Sequence, residues 1–300
     1  MNGCERVAYL KPDSDFHVTY GFKFDESFPL VAQEVAAVQN GVGICEVNGF
    51  NRFEITGEDR HSFLDRMICG RVTKKDGRVG LGYLLNDHGM LKAEATVANL
   101  PATDRGPARV WYGSAAAAEF HDMDWLQMHI GANEDVQIKS LTNDQTILVI
   151  AGPKARDVIS AVSRDDWSKE TFPWLSAREC FIGFAPAPVL GVSFSGELAY
   201  EIHVPNASLY AAYTALREAG AAHGMKIFGA LAVDSMRLEK GFLHWKADIL
   251  TEFDPFETGL DRFVKMDKGD FVGRDALLER KTPAKRLVTL HVDHDSAAAH

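Results

Sequence analysis

Two glutamates four residues apart, Glu197 and Glu201, stand in the run VSFSGELAYEIHVP at residues 192–205. Val192, Phe194, Ile202 and Val204 favour β structure, and Ser195-Gly196 supplies a turn between two strand-like halves. A carboxylate in such a strand either faces water or is kept inside to accept N–H donors, because charge is rarely buried unpaired. Glu94 is a second candidate, in MLKAEATVA at 90–98. There Ala93, Ala95 and Val97 share one face, and Lys92, Glu94 and Thr96 share the other. Glu94 is either wet and paired to Lys92 or a cross-strand neighbour, or it is a carboxylate placed to move protons. The third constellation is DSMRLEKGFLHWKAD at 234–248. Asp234 and Arg237 sit three apart on a helix, the spacing of an ion pair. Trp245 is either core filler or a flat platform for a planar heterocycle. His244 has no Cys, Asp or Glu at ligand spacing, so no metal site is expected.

Hydrophobic periodicity gives the elements that carry these residues. Residues 28–40 read as an amphipathic helix, with Val31, Val35 and Val38 on one side. Residues 48–56 read as a strand and 61–68 as a helix. A hairpin joins 79–85 to 90–98 through Asn86-Asp87-His88-Gly89. A strand over 109–112 and a helix over 115–127 follow. The next strand, 146–151, ends at Gly152-Pro153 before a helix over 155–162. Strands within 192–205 precede helices over 209–219 and 230–240. Strands and helices intersperse without strict alternation, which indicates α+β subdomains.

Composition narrows the function. The chain has 300 residues, 46% hydrophobic and 25% charged, with a formal net charge of −10. That balance suits a globular protein and not a nucleic-acid binder, which needs cationic contacts to phosphate. No apolar run approaches the roughly 20 residues of a membrane span. The start has no apolar export segment, so the expected place is the cytoplasm, with no membrane partner. Cys4, Cys45, Cys69 and Cys180 are scattered without CxxC spacing and read as free thiols. No GxGxxG follows a strand, since Gly77, Gly80 and Gly82 are differently spaced, so no FAD or NAD site is expected in this chain. Walker, GxSxG and HExxH motifs are missing too.

In order, GVGICEVNGFNRFEITGEDRHSFLDRM, GYLLNDHGMLKAEATV, ILVIAGPKAR, SGELAYEIHVP, DSMRLEKGFLHWKADI and GLDRFVKMDKGDFVGRDAL resemble the folate-binding aminomethyltransferase family of the glycine-cleavage T-protein. The chain is most similar to the tetrahydrofolate-binding C-terminal half of dimethylglycine and sarcosine dehydrogenases. The resemblance implies a cloverleaf of subdomains around a central cavity, not separable from sequence within residues 1–284. It also implies that 285–292, KRLVTLHV, begins a C-terminal β-barrel whose further strands are not in residues 285–300. The cofactor implied is tetrahydrofolate, whose N5 takes up a one-carbon unit to give 5,10-methylenetetrahydrofolate.

The resemblance also carries site residues. Glu94 falls where the family has its proton-moving carboxylate, usually Asp, with Ala93 where a second Asp is common. Glu201 matches the pterin-binding glutamate, suited to two parallel N–H donors. Phe194 stands for a pterin-packing Tyr, and Trp245 for a cavity-lining residue of the dehydrogenase branch. Ser114 aligns loosely with a folate-contacting Asn, and Arg237 with another folate-site position, while Val233 replaces an Arg. These departures point away from transfer off a lipoylated carrier. They point towards capture of formaldehyde-level carbon from N-methyl amine oxidation, with a flavin dehydrogenase subunit or domain as partner. A folate-dependent O- or S-demethylase and a non-catalytic folate-binding module stay open.

Overall fold

The computed structural model describes residues 5–19, 23–280, 282–283 and 285–291. In chain order it forms α1 (Phe28–Asn40), β1 (Gly43–Glu46), β2 (Phe53–Thr56), α2 (Arg60–Met67), β3 (Val79–Leu85), β4 (Leu91–Leu100), β5 (Arg109–Gly113), α3 (Glu119–Met128) and β6 (Gln137–Ser140). Then come β7 (Gln145–Ala151), α4 (Ala155–Val162), β8 (Ala177–Ile182), β9 (Ala185–Leu190), β10 (Ala199–Pro205), α5 (Leu209–Ala221), β11 (Lys226–Ile227), α6 (Ala230–Glu239) and α7 (Arg274–Glu279). The class is α+β, as expected. One sheet runs β11-β1-β7-β10-β9-β8, parallel only between β11 and β1. The other runs β3-β4-β5-β2-β6 and is antiparallel throughout.

Each sheet buries its outer face against helices. On the first, Ile150, Tyr200, Ile202 and Val204 pack on Val158 and Ile159 of α4 and Leu216 of α5. On the second, Phe53, Ala93, Ala95 and Tyr112 pack on Phe63, Leu64 and Met67 of α2 and Leu126 of α3. Burial of each such large side chain stabilises the fold by about 1.5–3 kcal/mol. The alanines of β4 leave room for the bulky α2 residues. The inner faces meet each other where Val79, Ala98, Leu100 and Trp111 pack on Ala177 and Leu190.

Two expectations need correction. The run 192–205 is not two strands: only Ala199–Pro205 pairs, and 192–198 is a turn and bend segment. Gly196 is there at φ +79°, and the Lys240 side chain lies where a Cβ would be, so strand geometry is excluded. The partner strand of β10 is instead β9, APAPVL, which proline content hides from a propensity reading. β10 pairs it only at Val189 and Leu190, beyond Pro186 and Pro188, where the missing N–H groups do no harm. Finally, the expected strand over 285–292 is not seen over its described part, 285–291. Residues 285–291 join no sheet, Leu287 N–H donates to Glu257 O at 2.8 Å, and Val292 lies outside the described residues. Among the described residues there is no closed barrel, and no helix is long and apolar enough to cross a membrane.

Candidate active site

Glu94 and Glu201 lie on the facing inner surfaces of the two sheets. On β10 the outer-face set is Tyr200, Ile202 and Val204, so Ala199, Glu201 and His203 point inward. On β4, Glu94, Thr96 and Ala98 share the inner face, and Ala98 is part of the sheet-to-sheet contact. The inner faces touch where the Trp111 ring meets His203 edge-on, centroids 4.3 Å apart. Glu94 is four residues along β4 from Ala98, roughly 13 Å of extended chain. Both carboxylates thus flank the zone of sheet contact rather than the outer solvent.

β10 is a central strand, with β7 on one side and β9 on the other, so Glu201 is not an edge residue. Its lateral neighbours in register are Val149 and Leu190, with Cys45 beyond Val149. Cys45 and Val149 pack with Ala232 and Met236 of α6, which sit on the same side of the sheet. The Glu201 side chain is 20% exposed, and its Oε2 is 3.8 Å from Nε2 of fully buried His203. Burial lowers the His203 pKa, with the neighbouring Glu201 opposing the shift. Oε1 of Glu201 accepts no hydrogen bond among the described residues and is not sealed from solvent.

Glu94 stands opposite Tyr83 in the β3–β4 register. The Tyr83 hydroxyl donates to Glu94 Oε2 at 2.8 Å, and Oε1 accepts no hydrogen bond among the described residues and is not sealed from solvent. Burial pushes the Glu94 pKa above the usual carboxylate value, and the Tyr83 hydrogen bond works against that rise. The reading that pairs Glu94 with Lys92 is overturned by a β-bulge. Leu84 pairs Ala93 but Leu85 pairs Leu91, which leaves Lys92 outside the ladder. Its ammonium goes to α3 instead, 2.9 Å from His121 Nε2 and 4.1 Å above the Trp125 ring.

The segment after α6 joins the two sides. Arg237 is buried; Nε donates to Asp234 Oδ1 at 2.6 Å, and Nη1 donates to Phe242 O at 3.2 Å and to the Asp248 carboxylate. Asp248 also accepts the His244 N–H at 2.8 Å. These bonds fold 242–248 back on the helix end. His244 then meets the Phe194 ring, centroids 5.9 Å apart. Trp245, 9% exposed, shares an apolar cluster with Tyr83, Leu91 and Leu260. Glu197 sits 3.6 Å from Lys240 Nζ, a turn residue tied to the same helix end.

The pattern of chemistry-bearing residues now has a comparison. The family described as the GCVT N-terminal domain matches residues 4–268. The chain belongs to the GCVT family. Rat dimethylglycine dehydrogenase, a mitochondrial protein, is 30% identical over 291 residues, which are 96% of this chain and 33% of that protein. The 4-methylaminobutanoate oxidase (formaldehyde-forming) of Paenarthrobacter nicotinovorans is 30% identical over 306 aligned residues, 100% of this chain and 36% of the relative. A mouse pyruvate dehydrogenase phosphatase regulatory subunit is 28% identical over 306, covering 98% of this chain and 34% of its own length. The GCVT chain therefore spans about one third of the curated relatives it matches. Its fold is that of the glycine cleavage system aminomethyltransferase T from Bartonella henselae. The TM-score is 0.74 at 19% identity, over 89% of this chain and 72% of the other.

Within this GCVT domain, Glu94, Tyr83 and Trp245 gather around one cluster, and Phe194 joins through His244. Ser114 is placed differently. Its Oγ donates to Asp122 Oδ2 at 2.5 Å and accepts from Asn51 Nδ2 at 2.6 Å, and its N–H donates to Asn51 Oδ1 at 2.8 Å. It is 2% exposed in a closed polar network. Two further residues, in no recognisable motif, hold the frame. Tyr83 was hidden among the apolar residues of β3. Glu34 of α1 accepts the Leu10 and Gly229 N–H groups at 2.7 and 2.8 Å, fixing the start of α6; its place among Val31, Val35 and Val38 was the available signal. A cavity of about 450 Å³ lined by Cys45, Phe228 and Val233 and one of about 440 Å³ lined by Phe256, Leu277 and Arg280 are not lined by Glu94 or Glu201.

Proposed function

We propose that this chain is a tetrahydrofolate-dependent one-carbon transferase that captures formaldehyde-level carbon from oxidation of an N-methyl amine of the dimethylglycine or sarcosine type. The observation that carries the reading is the pair Glu94 and Glu201 on facing sheet surfaces, each with a carboxylate oxygen that accepts no hydrogen bond among the described residues. A half-buried carboxylate beside apolar neighbours fits a planar ring that presents N–H donors, since a charge-assisted pair is strong where water is scarce. Phe194 and Trp245 offer flat apolar surface to the same kind of ring.

Tetrahydrofolate, when bound, would supply the nucleophilic nitrogen that accepts the one-carbon unit. Glu201 holds the pterin by accepting its N–H groups. Glu94 takes and returns the proton that must move at the reacting nitrogen, a role suited to a carboxyl whose pKa burial raises above the usual carboxylate value. Trp245 and its cluster restrict water. Arg237 serves by holding the 242–248 segment in place, with its bonds directed to Asp234, Phe242 and Asp248 rather than to the ligand. The methylated amine, and a flavin dehydrogenase domain or subunit that oxidises it, are the partners of this reading; relatives named dehydrogenase and oxidase, each about three times as long, support it.

The test mixes the purified chain with tetrahydrofolate, follows pterin fluorescence, then adds formaldehyde and measures methylene transfer above the uncatalysed rate. Saturable binding with Glu94-dependent transfer is expected. No saturable change overturns the assignment. Binding without transfer favours a non-catalytic module, to which the similarity with a regulatory subunit gives weight. Transfer only from an O- or S-methylated donor favours a demethylase.

A further inference from the structure

The two oxygens of Glu94 are not equivalent: Oε2 accepts a hydrogen bond from Tyr83, and Oε1 accepts none among the described residues. We propose that Tyr83 is a positioning residue for Glu94, its O–H fixing Oε2 so that Oε1 is presented to the one-carbon site. The inference rests on the proposed proton-transfer role of Glu94 for its purpose, but the Tyr83–Glu94 coupling itself does not.

Three features make Tyr83 suited to this. It is 2% exposed and directly opposite Glu94 across the β3–β4 ladder, so the 2.8 Å bond is set by strand register. Its ring is held edge-on by Phe263 at 5.2 Å, and its backbone carbonyl accepts the Cys69 N–H at 2.9 Å. Phe263 is in turn strapped to α2: Lys265 N–H donates to Cys69 O at 2.9 Å, and the buried Lys268 ammonium donates to the carbonyls of Asp65, Ile68 and Gly70. A tyrosine pinned on both ring and backbone loses little freedom in making its hydrogen bond.

The electrostatics agree. Burial drives Glu94 towards its neutral form, and the Tyr83 donor is what opposes it. Tyr83 does not itself release a proton, because burial and the adjacent Glu94 push its pKa far upward. The other ionisable groups around the pair are Arg262 and Cys69, both felt by Tyr83. Lys92, the nearest cation on β4, is engaged by His121 and Trp125.

The experiment reads Glu94 directly. The intact chain, labelled with ¹³C at glutamate side-chain carboxyls, is titrated by NMR without folate, and Glu94→Gln assigns the resonance. Tyr83→Phe should raise the Glu94 midpoint by about 0.5 pH units or more, roughly threefold in its protonation constant. Should that variant fold poorly, 3-fluorotyrosine placed at position 83 keeps ring and hydroxyl but donates more strongly, and should lower the midpoint. An unmoved midpoint in whichever folded variant is read overturns the proposal. A shifted midpoint supports it even in a chain that transfers no one-carbon unit; that second result would count against the function assigned to Glu94 and not against the pairing.

Discussion

His203 Nε2 lies 3.8 Å from Glu201 Oε2, with the imidazole fully buried and the Trp111 ring packed against it. Neither ring nitrogen has a hydrogen-bond partner among the described residues, so the imidazole is buried without compensation. Its cost appears on acidification. Unfolded, the ring has a pKa of about 6.5; folded, burial lowers it. Below the unfolded value the unfolded chain binds the extra proton, so stability falls as pH drops. Urea melts between pH 7.5 and 5 should show this loss, and His203→Asn should flatten it. An equal pH slope in both proteins would refute the assignment.

Glu201→Gln exchanges a charged acceptor for an amide that offers one acceptor and unwanted donors. Charged hydrogen bonds contribute about 1.5–3 kcal/mol, so tetrahydrofolate affinity should weaken by roughly 10- to 100-fold. Fluorescence titration checks it, with thermal melts to confirm that the fold is retained.

Glu94→Gln should separate chemistry from binding. Loss of a general acid–base group lowers rate by about 10²–10⁴-fold, while affinity for tetrahydrofolate stays near that of the unaltered chain. In the unaltered chain, transfer should decline with acidification through a midpoint above the ordinary carboxylate range, because burial raises the Glu94 pKa. Single-turnover rates of both chains, followed as the pH is lowered, test both statements.

Arg237→Met removes the donor shared by Asp234, Phe242 and Asp248. The loss of charged hydrogen bonds at a buried site should lower stability by about 2 kcal/mol. Cycling it with Asp248→Asn in denaturant melts should reveal coupling; strict additivity would mean that the 242–248 segment is not held this way.

Ser114→Ala leaves Asp122 without its 2.5 Å donor and Asn51 without an acceptor. Unsatisfied buried groups cost about 1–3 kcal/mol. The melting temperature should fall while tetrahydrofolate affinity is unchanged, and a change in affinity without one in stability would return Ser114 to the ligand.

Much of this molecule follows from sequence periodicity. The valines at 3- and 4-residue spacing made α1, and alternation made β10 and most of β4, because a strand with one buried face repeats every two residues. The order of motifs gave the family and made Glu94 and Glu201 its candidate residues. Tertiary structure decided what local rules do not encode. Alternation set Glu201 opposite Tyr200 and Ile202, but only the packing of one sheet on the other put a second sheet beside its face. The β3–β4 bulge moved Lys92 from Glu94 to α3, and register put Tyr83 in its place. Arg237 became a clamp, and Ser114 a buried network residue, through partners 11 and 63 positions away. Sequence fixes which residues can do chemistry, since that depends on side-chain type and local period; which of them face one another depends on long-range strand pairing, which no local pattern specifies.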